Sequence, residues 1–327
     1  MSILKSWKFW IGLIVVLLWA RMPWFIRNNY QLQVLFRITL FAALGLAWNL
    51  VGGYAGQLSL GHVAFFGVGA YGLALFTEIG IPIWISVFLA AVVATIFAAV
   101  IGAIAFRLRG PYFTLSTIAF AEVLRLTATN LNVTGGAIGL TMPSLFVGRT
   151  FWRSFYLASV VLTVVAFLAN YWTSRSRFGY YLMAIREDED TASAVGINTA
   201  LCKLQALLMS AFLTALAGAL YGSAFQFIVP DSILTLEISV QIAIITMLGG
   251  AGTLLGPIVG AVLLLTASEA FKNQFRESHL LIYGILIVVV VLFLPEGIVG
   301  GLQHRFRRRI RPPADANPKP ALGGAAQ

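Results

Sequence analysis

The chain has 327 residues, of which 59% are hydrophobic and 10% are charged, and its mean hydropathy is +0.89. Soluble proteins average about 25% charged residues, so this composition excludes an ordinary soluble protein and indicates a polytopic membrane protein. The net charge of +10 comes mostly from basic residues beside apolar runs and after residue 304, where they orient a membrane protein, and this placement argues against nucleic-acid binding.

The apolar runs predict about ten membrane segments, because a helix needs about 20 apolar residues to cross a bilayer. We therefore predict an all-α transmembrane bundle over 1–304, with a basic and then disordered cytoplasmic tail over 305–327. If the first segment stays uncleaved with its N-terminus inside, three basic regions and both termini lie in the cytoplasm. The predicted segments are 8–26, 33–51, 59–77, 83–106, 112–130, 154–173, 204–228, 236–250, 256–271 and 280–300. The short pair within 236–271 either spans the membrane or re-enters it.

Two glycine-rich turns connect predicted segments at the same predicted face, which suggests an internal duplication. Unwound helix ends at corresponding positions of two halves are where many transporters bind substrate or hinge, whereas the plainer interpretation is close helix packing. Three polar residues near the first turn either line a pathway or cap helix ends. The pathway or hinge candidates are Asn49, Gly52, Gly53, Gly56, Gln57, His62, Gly249, Gly250 and Gly252.

Polar side chains inside predicted segments should face protein or water, because an ionised group at mid-bilayer costs about 2.5–3.5 kcal/mol. Glu122 and Arg125 are three residues apart on one predicted helix and can form an intramembrane ion pair. We favour this structural role over solute binding, since a paired couple has little left for a solute. The other members of the set are Asn49, Gln57, His62, Gln226, Glu237, Gln241 and Glu269.

No motif in the sequence indicates catalysis, a cofactor or a metal. There is no phosphate-binding glycine loop, and His62, His279 and His304 are far apart along the chain. The single Cys202 can form no internal disulfide. We expect no enzyme activity in this chain, so any energy source is another polypeptide.

The loop over 174–203 contains four consecutive acidic residues, Glu187 to Asp190, in a chain with 12 Asp and Glu in all. Its arginine-rich flanks place it in the cytoplasm. Acidic residues favour the positive end of a helix, so we predict one short helix from about Ile185 to Val195. Such a protruding helix could be bound by another protein, and the alternative is a solvated loop.

The residues after this helix resemble a helix stop followed by a helix start. Gly196 with Ile197 has the form of a C-terminal glycine cap with its apolar contact. Asn198 or Thr199 is then placed to cap the next helix, which enters the membrane.

Four stretches in this order resemble the permease subunits of branched-chain amino-acid ABC importers, in particular the longer of their two permease types. They are ALGLAWNLVGGYAGQLSLGHVAFFGVGAY at 43–71, LRGPYFTLSTIAFAEVLR at 108–125 with the TGG and GL that follow, the REDE loop with its Gly-Ile-Asn step, and LGGAGTLLGPIVGA at 248–261. The resemblance covers most of 40–300, and the termini and the first segment match nothing particular.

The resemblance implies a multi-pass subunit of a bacterial inner membrane that pairs with a second permease subunit, two cytoplasmic ATPase subunits and an extracytoplasmic solute-binding protein. Branched-chain or other apolar amino acids are then the expected solutes, with urea, short amides or small aromatic acids as alternatives. A transporter or channel that works without ATPases is the competing class, and it is disfavoured because no intramembrane proton relay is apparent. The implied ATPase-coupling residues are Arg186, Glu187, Asp188, Glu189, Asp190, Gly196 and Ile197.

Overall fold

The computed structural model describes residues 19–26, 28–148 and 150–274, together with 284 and 297–299. Nearly all regular structure in this part of the chain is helical. The helices are α1 (Asn29–Trp48), α2 (His62–Glu78), α3 (Ile83–Ala105), α4 (Pro111–Asn130), α5 (Phe151–Arg175), α6 (Arg177–Glu187), α7 (Glu189–Ala194), α8 (Thr199–Phe225), α9 (Pro230–Ile233), α10 (Leu236–Gly249) and α11 (Gly256–Gln274). A π-helical turn, Asn49–Tyr54, continues α1, and 3₁₀ turns lie at Met22–Trp24, Asn132–Thr134 and Gly136–Ile138. Two short strands, β1 (Leu140–Thr141) and β2 (Phe227–Ile228), pair antiparallel.

The predicted helix bundle is confirmed in its coarse form. Helices lie on the eight predicted segments between 33 and 271, with ends shifted by a few residues. Within the described residues, five helical stretches are long and apolar enough to cross a membrane: Asn29–Tyr54, Ile83–Ala105, Phe151–Arg175, Thr199–Phe225 and Pro230–Gly249. Most of segment 8–26, nearly all of 280–300 and the tail over 305–327 lie outside the described residues, so the count of ten and the positions of the termini stay predictions.

The bundle packs around α1, which contacts α5, α8, α10 and α11, while α2, α3 and α8 pack on one another. Small residues allow the closest of these approaches. A Cβ atom on Gly218 of α8 would lie 1.9 Å from the carbonyl oxygen of Phe66, and one on Gly69 of α2 would lie 2.1 Å from that of Ala215. The two helices therefore pack backbone against backbone, as small residues permit in membrane bundles.

Helix α3 has the reverse of the residue distribution in a soluble protein. Its buried face consists mainly of small residues, including Ala90, Ala94 and Ala98. Its exposed face carries large apolar side chains such as Phe88 and Ile96, and no residue of the helix is charged. This pattern suits a helix that packs on protein through small residues and meets lipid with large ones.

The single helix predicted over 185–195 is wrong, because two helices, α6 and α7, occupy this part of the chain. They are separated at Asp188, whose backbone is extended (φ −159, ψ 116). The Asp188 carboxylate accepts a hydrogen bond from the backbone N–H of Thr191 at 2.6 Å, so this residue caps α7. The run of acids predicts a single helix that starts with acidic residues. In the structure, Glu187 ends α6 and Asp188 caps α7, so the run lies across the boundary between two helices.

The predicted end of this protrusion is present. Gly196 has φ +89, and the N–H groups of Gly196 and Ile197 donate to the carbonyls of Ser193 and Ala192 at 3.0 and 3.1 Å. These bonds close α7 with a left-handed residue that favours glycine. Asn198 then caps α8 by accepting a hydrogen bond from the N–H of Leu201 at 3.1 Å.

Candidate coupling site

Helices α6 and α7, with Gly196 and Ile197, form a segment that lies on one face of the bundle and that we call the coupling segment. It packs on α8 and on the π-helical turn at the end of α1. The turn between α3 and α4 lies on the same face, because Arg109 pairs with Asp190 of α7 at 2.6 Å. The segment is therefore held to the bundle and is not a free loop.

The four consecutive acids have four different environments. Asp188 is the cap of α7, and the hydrogen bond from the Thr191 backbone lowers the pKa of its carboxyl. Asp190 pairs with Arg109 in an exposed ion pair, and this hydrogen bond raises the pKa of the arginine. Glu189 turns towards α8. The carboxylate of Glu187 is exposed, and no described residue forms a hydrogen bond or ion pair with it.

Glu189 fixes α7 to α8 through a buried lysine. Its carboxylate accepts hydrogen bonds from Lys203 Nζ at 2.6 Å and from Thr199 Oγ1 at 3.2 Å. The Lys203 side chain is 0% exposed, and its ammonium group also lies 5.3 Å from the centre of the Phe106 ring. A buried charge needs a partner of this kind, so Glu189 is a docking residue within the chain.

Arg186, on the last turn of α6, reaches the first glycine turn. Its Nη1 donates a hydrogen bond to the carbonyl oxygen of Gly53 at 2.8 Å. The same side chain passes close to Gly56 and Gly252, where an added Cβ would lie 2.8 Å from Arg186 Cγ and 2.6 Å from Nη1. The structure thus brings a predicted coupling residue together with three of the predicted hinge glycines.

Asn49 connects the two glycine turns to each other. Its Oδ1 accepts a hydrogen bond from the N–H of Gly252 at 2.8 Å, and its Nδ2 donates to the carbonyl of Thr253 and to Asn170 Oδ1, both at 3.0 Å. Asn170 in turn donates to the carbonyl of Leu46 at 2.8 Å. Asn49 and Asn170 are both fully buried.

Sequence reasoning missed Asn170. One feature of the sequence could have identified it: Asn170 is a single amide near the end of the apolar run that forms α5, and a buried amide requires hydrogen-bond partners. The distance of 121 residues between Asn49 and Asn170 left nothing local to pair them.

The other pathway or hinge candidates lie outside this network. His62 is fully buried, with Nδ1 3.1 Å from Ser59 Oγ and Nε2 2.7 Å from Ser210 Oγ. Gln57 donates to the carbonyl of Ala55 at 3.3 Å. Gly52 packs against the Trp48 ring and Gly249 against the start of α11, while Gly250 ends α10 with φ +119.

Glu122 and Arg125 pair on α4, and Arg125 also pairs with Asp231 at the start of α9. No pattern in the sequence placed Asp231 beside Arg125. Because α4 begins beside Arg109 and rises about 1.5 Å per residue, Arg125 lies about 21 Å from Pro111, far from the coupling segment. In the part of the chain that the structure describes, no three His, Cys, Asp or Glu side chains are grouped so that they could hold a metal ion.

Comparison with known proteins identifies the family. Residues 30–291 match the family described as the permease component of branched-chain amino acid transport systems. The chain is 29% identical to the high-affinity branched-chain amino acid transport system permease protein LivM of Salmonella typhimurium over 91% of this chain and 76% of that protein. For LivM of Escherichia coli the identity is 29% over 88% and 74% of the two chains. For LivH of Salmonella typhimurium it is 26% over 83% and 96%. The chain therefore belongs to the family of permease components of branched-chain amino acid transport systems.

Proposed function

We propose that this chain is one permease subunit of an ATP-driven importer of small solutes and that it receives cytoplasmic ATPase subunits on the coupling segment. A second permease subunit completes the pathway, and an extracytoplasmic solute-binding protein delivers the solute. ATP hydrolysis belongs to the ATPase subunits, and this chain binds no nucleotide. The match to LivM and to LivH, two permease proteins of one kind of transport system, supports the pairing of two permeases.

The single observation that carries this proposal is the surface of the coupling segment. Exposed apolar and aromatic side chains lie on the same segment as the exposed carboxylates: Val195 is 73% exposed and Tyr180 is 64% exposed. An open groove of about 420 Å³ adjoins them, lined in part by Tyr181, Ile197 and Leu201. A solvated loop has no need of this surface, whereas a protein interface combines aromatic contact area with charges at its rim.

The solute that we propose is a branched-chain amino acid or another apolar amino acid. The relatives named above transport branched-chain amino acids according to their names. Urea, short amides and small aromatic acids are the second choice, because the pathway of a permease subunit is completed by its partner and this chain alone does not fix the ligand.

The test is made on the purified complex reconstituted in lipid vesicles with the binding protein. We expect ATP-dependent uptake of labelled leucine, with labelled urea at background. Glu187→Gln should lower uptake and the retention of the ATPase at low salt, and its difference from the unmodified protein should shrink at high salt, because an exposed interfacial charge is screened by salt. Glu78→Gln, an exposed acid at the far end of α2, is the matched control. Uptake of leucine without ATP, or equal behaviour of both variants, would contradict the proposed coupling.

A further inference from the structure

The side chain of Arg186 lies in a slot that glycines leave open. Nη1 is bonded to the carbonyl of Gly53 at 2.8 Å, and the slot is bounded by Gly56 and Gly252. Both of these glycines have positive φ values, +67 and +79, which residues with a Cβ rarely adopt. A side chain at either position would therefore strain the backbone and also push the arginine away.

The slot is formed where the two glycine turns touch. Asn49 bonds to the N–H of Gly252 and the carbonyl of Thr253, and a Cβ on Gly53 would lie 2.5 Å from the Gly252 nitrogen. The first turn ends α1, and the second links α10 to α11. A group that holds Gly53 and contacts Gly252 thus acts on four membrane helices of the bundle through two short turns, since α2 follows the first turn.

The first turn is also an irregular piece of helix. Residues Asn49–Tyr54 form a π-helical turn, and the N–H of Gln57 bonds back to the carbonyl of Val51 at 3.1 Å. Such wide turns interrupt an α-helix, lack its tight ladder and are frequent at functional positions. The Arg186 bond falls on Gly53 within this turn, at a point where the helix is already able to bend.

Among the described residues, Arg186 makes the one side-chain hydrogen bond that joins the coupling segment to either glycine turn. The other side-chain hydrogen bonds from the segment to the bundle go elsewhere: Glu189 bonds to α8, and Asp190 to the turn before α4. Movement of the coupling segment is therefore passed to α8 through a polar contact of α7 and to the glycine turns through a polar contact of α6.

We propose that Arg186 is a positioning residue that transmits the movement of the coupling segment to the junction of the two glycine turns, with Gly56 and Gly252 as the walls that keep its path open. This proposal rests on the proposed function, in which the segment receives the ATPase. It assigns to Arg186 the transfer of motion inside the permease, and to Glu187 and the exposed apolar surface the contact with the partner. Arg186 and Glu187 are successive residues at the end of α6, so their side chains leave the helix in different directions.

The test compares Arg186→Ala and Arg186→Lys with Arg107→Ala, an exposed arginine on the same face of the bundle that bonds to neither turn. In the reconstituted complex we expect Arg186→Ala to keep its ATPase subunits and its basal ATP hydrolysis, while solute uptake and solute-stimulated hydrolysis fall about tenfold, as for loss of one charged hydrogen bond. Arg186→Lys should recover little, because the lysine side chain is one bond shorter and its ammonium does not reach the position of Nη1 beside the Gly53 carbonyl. Arg107→Ala should match the unmodified protein.

A double-mutant cycle with Gly252→Ala separates transmission from general damage. Both single changes should lower uptake, and the double change should be no worse than the poorer single change, because both act on one contact. Losses that multiply, unchanged uptake in Arg186→Ala, or loss of ATPase subunits from that variant would each overturn the proposal. If the unmodified complex itself shows no solute-stimulated hydrolysis, the proposed function fails and the role of Arg186 fails with it.

Discussion

Individual residues of the coupling segment divide between holding the segment and presenting it. Glu189 and Lys203 meet at 2.6 Å, with the lysine side chain 0% exposed and the glutamate 19% exposed. Glu187, two positions earlier, is exposed and without a described partner. Because the two acids are so close in sequence, their composition and spacing gave no means to assign them different roles.

We expect Glu189→Gln to destabilise the protein and Glu187→Gln to leave its stability unchanged. Removing one member of a buried ion pair leaves the other charge uncompensated, which costs about 3–5 kcal/mol, whereas exposed surface changes cost about 0.5 kcal/mol or less. The measurement is the thermal unfolding midpoint in detergent, together with proteolysis of the segment. Adding Lys203→Met to Glu189→Gln should recover most of the loss, since the buried charge is then gone. Equal midpoints for Glu187→Gln and Glu189→Gln would contradict this division.

At the scale of elements, the long apolar helices were predicted well from the sequence, whereas the short polar elements were predicted poorly. A run such as that of α3 leaves few alternatives once its length matches the bilayer. The break between α6 and α7 depends instead on a single hydrogen bond, which the Asp188 carboxylate accepts from the Thr191 N–H. The π-helical turn after α1 has no local signature, because its packing against Gly252 involves residues 203 positions away.

Helices α3 and α4 present two kinds of exposed face. Ile96 of α3 and Val123 of α4 are each 58% exposed near the middle of their helices. The residues one helical turn from Ile96 are all apolar, while the exposed side of α4 around Val123 carries Glu122 and Thr127. We therefore expect α3 to face lipid and α4 to face water or the second permease.

A lysine at each position tests this difference. Ile96→Lys should reduce membrane insertion and yield, because a lysine near the centre of a lipid-facing helix costs about 2.5–3.5 kcal/mol. Val123→Lys should insert normally, since the exposed side of α4 already carries Glu122 and Thr127 next to this position. The amount of membrane-extracted protein measures both. Equal loss in the two variants would show that α4 faces lipid as α3 does.

At the scale of the whole molecule, the two glycine turns form the point where the α1–α2 and α10–α11 connections meet. Their shared glycines and their predicted positions at one face indicated a duplication, and the structure places the two turns in contact through Asn49. The sequence did not indicate that Arg186 bonds to the first of these turns, because a hydrogen bond between residues 133 positions apart has no local pattern. Periodicity shows which elements form, whereas the meeting of distant turns depends on the packing of the whole chain.

The same arrangement makes a prediction about orientation. Arg109, the coupling segment and the glycine turns lie on one face, and Ala137 follows α4 at its other end. Basic flanks place that first face in the cytoplasm, so Ala137 should lie outside. Both Ser193 and Ala137 are exposed, and the buried Cys202 is the only cysteine, so Ser193→Cys and Ala137→Cys can be made separately on a Cys202→Ala background. An impermeant thiol reagent added to intact cells should label the second alone, and the first should react after the membrane is opened. Labelling of both in intact cells would show that the chain crosses the membrane differently and that the coupling segment does not meet a cytoplasmic ATPase.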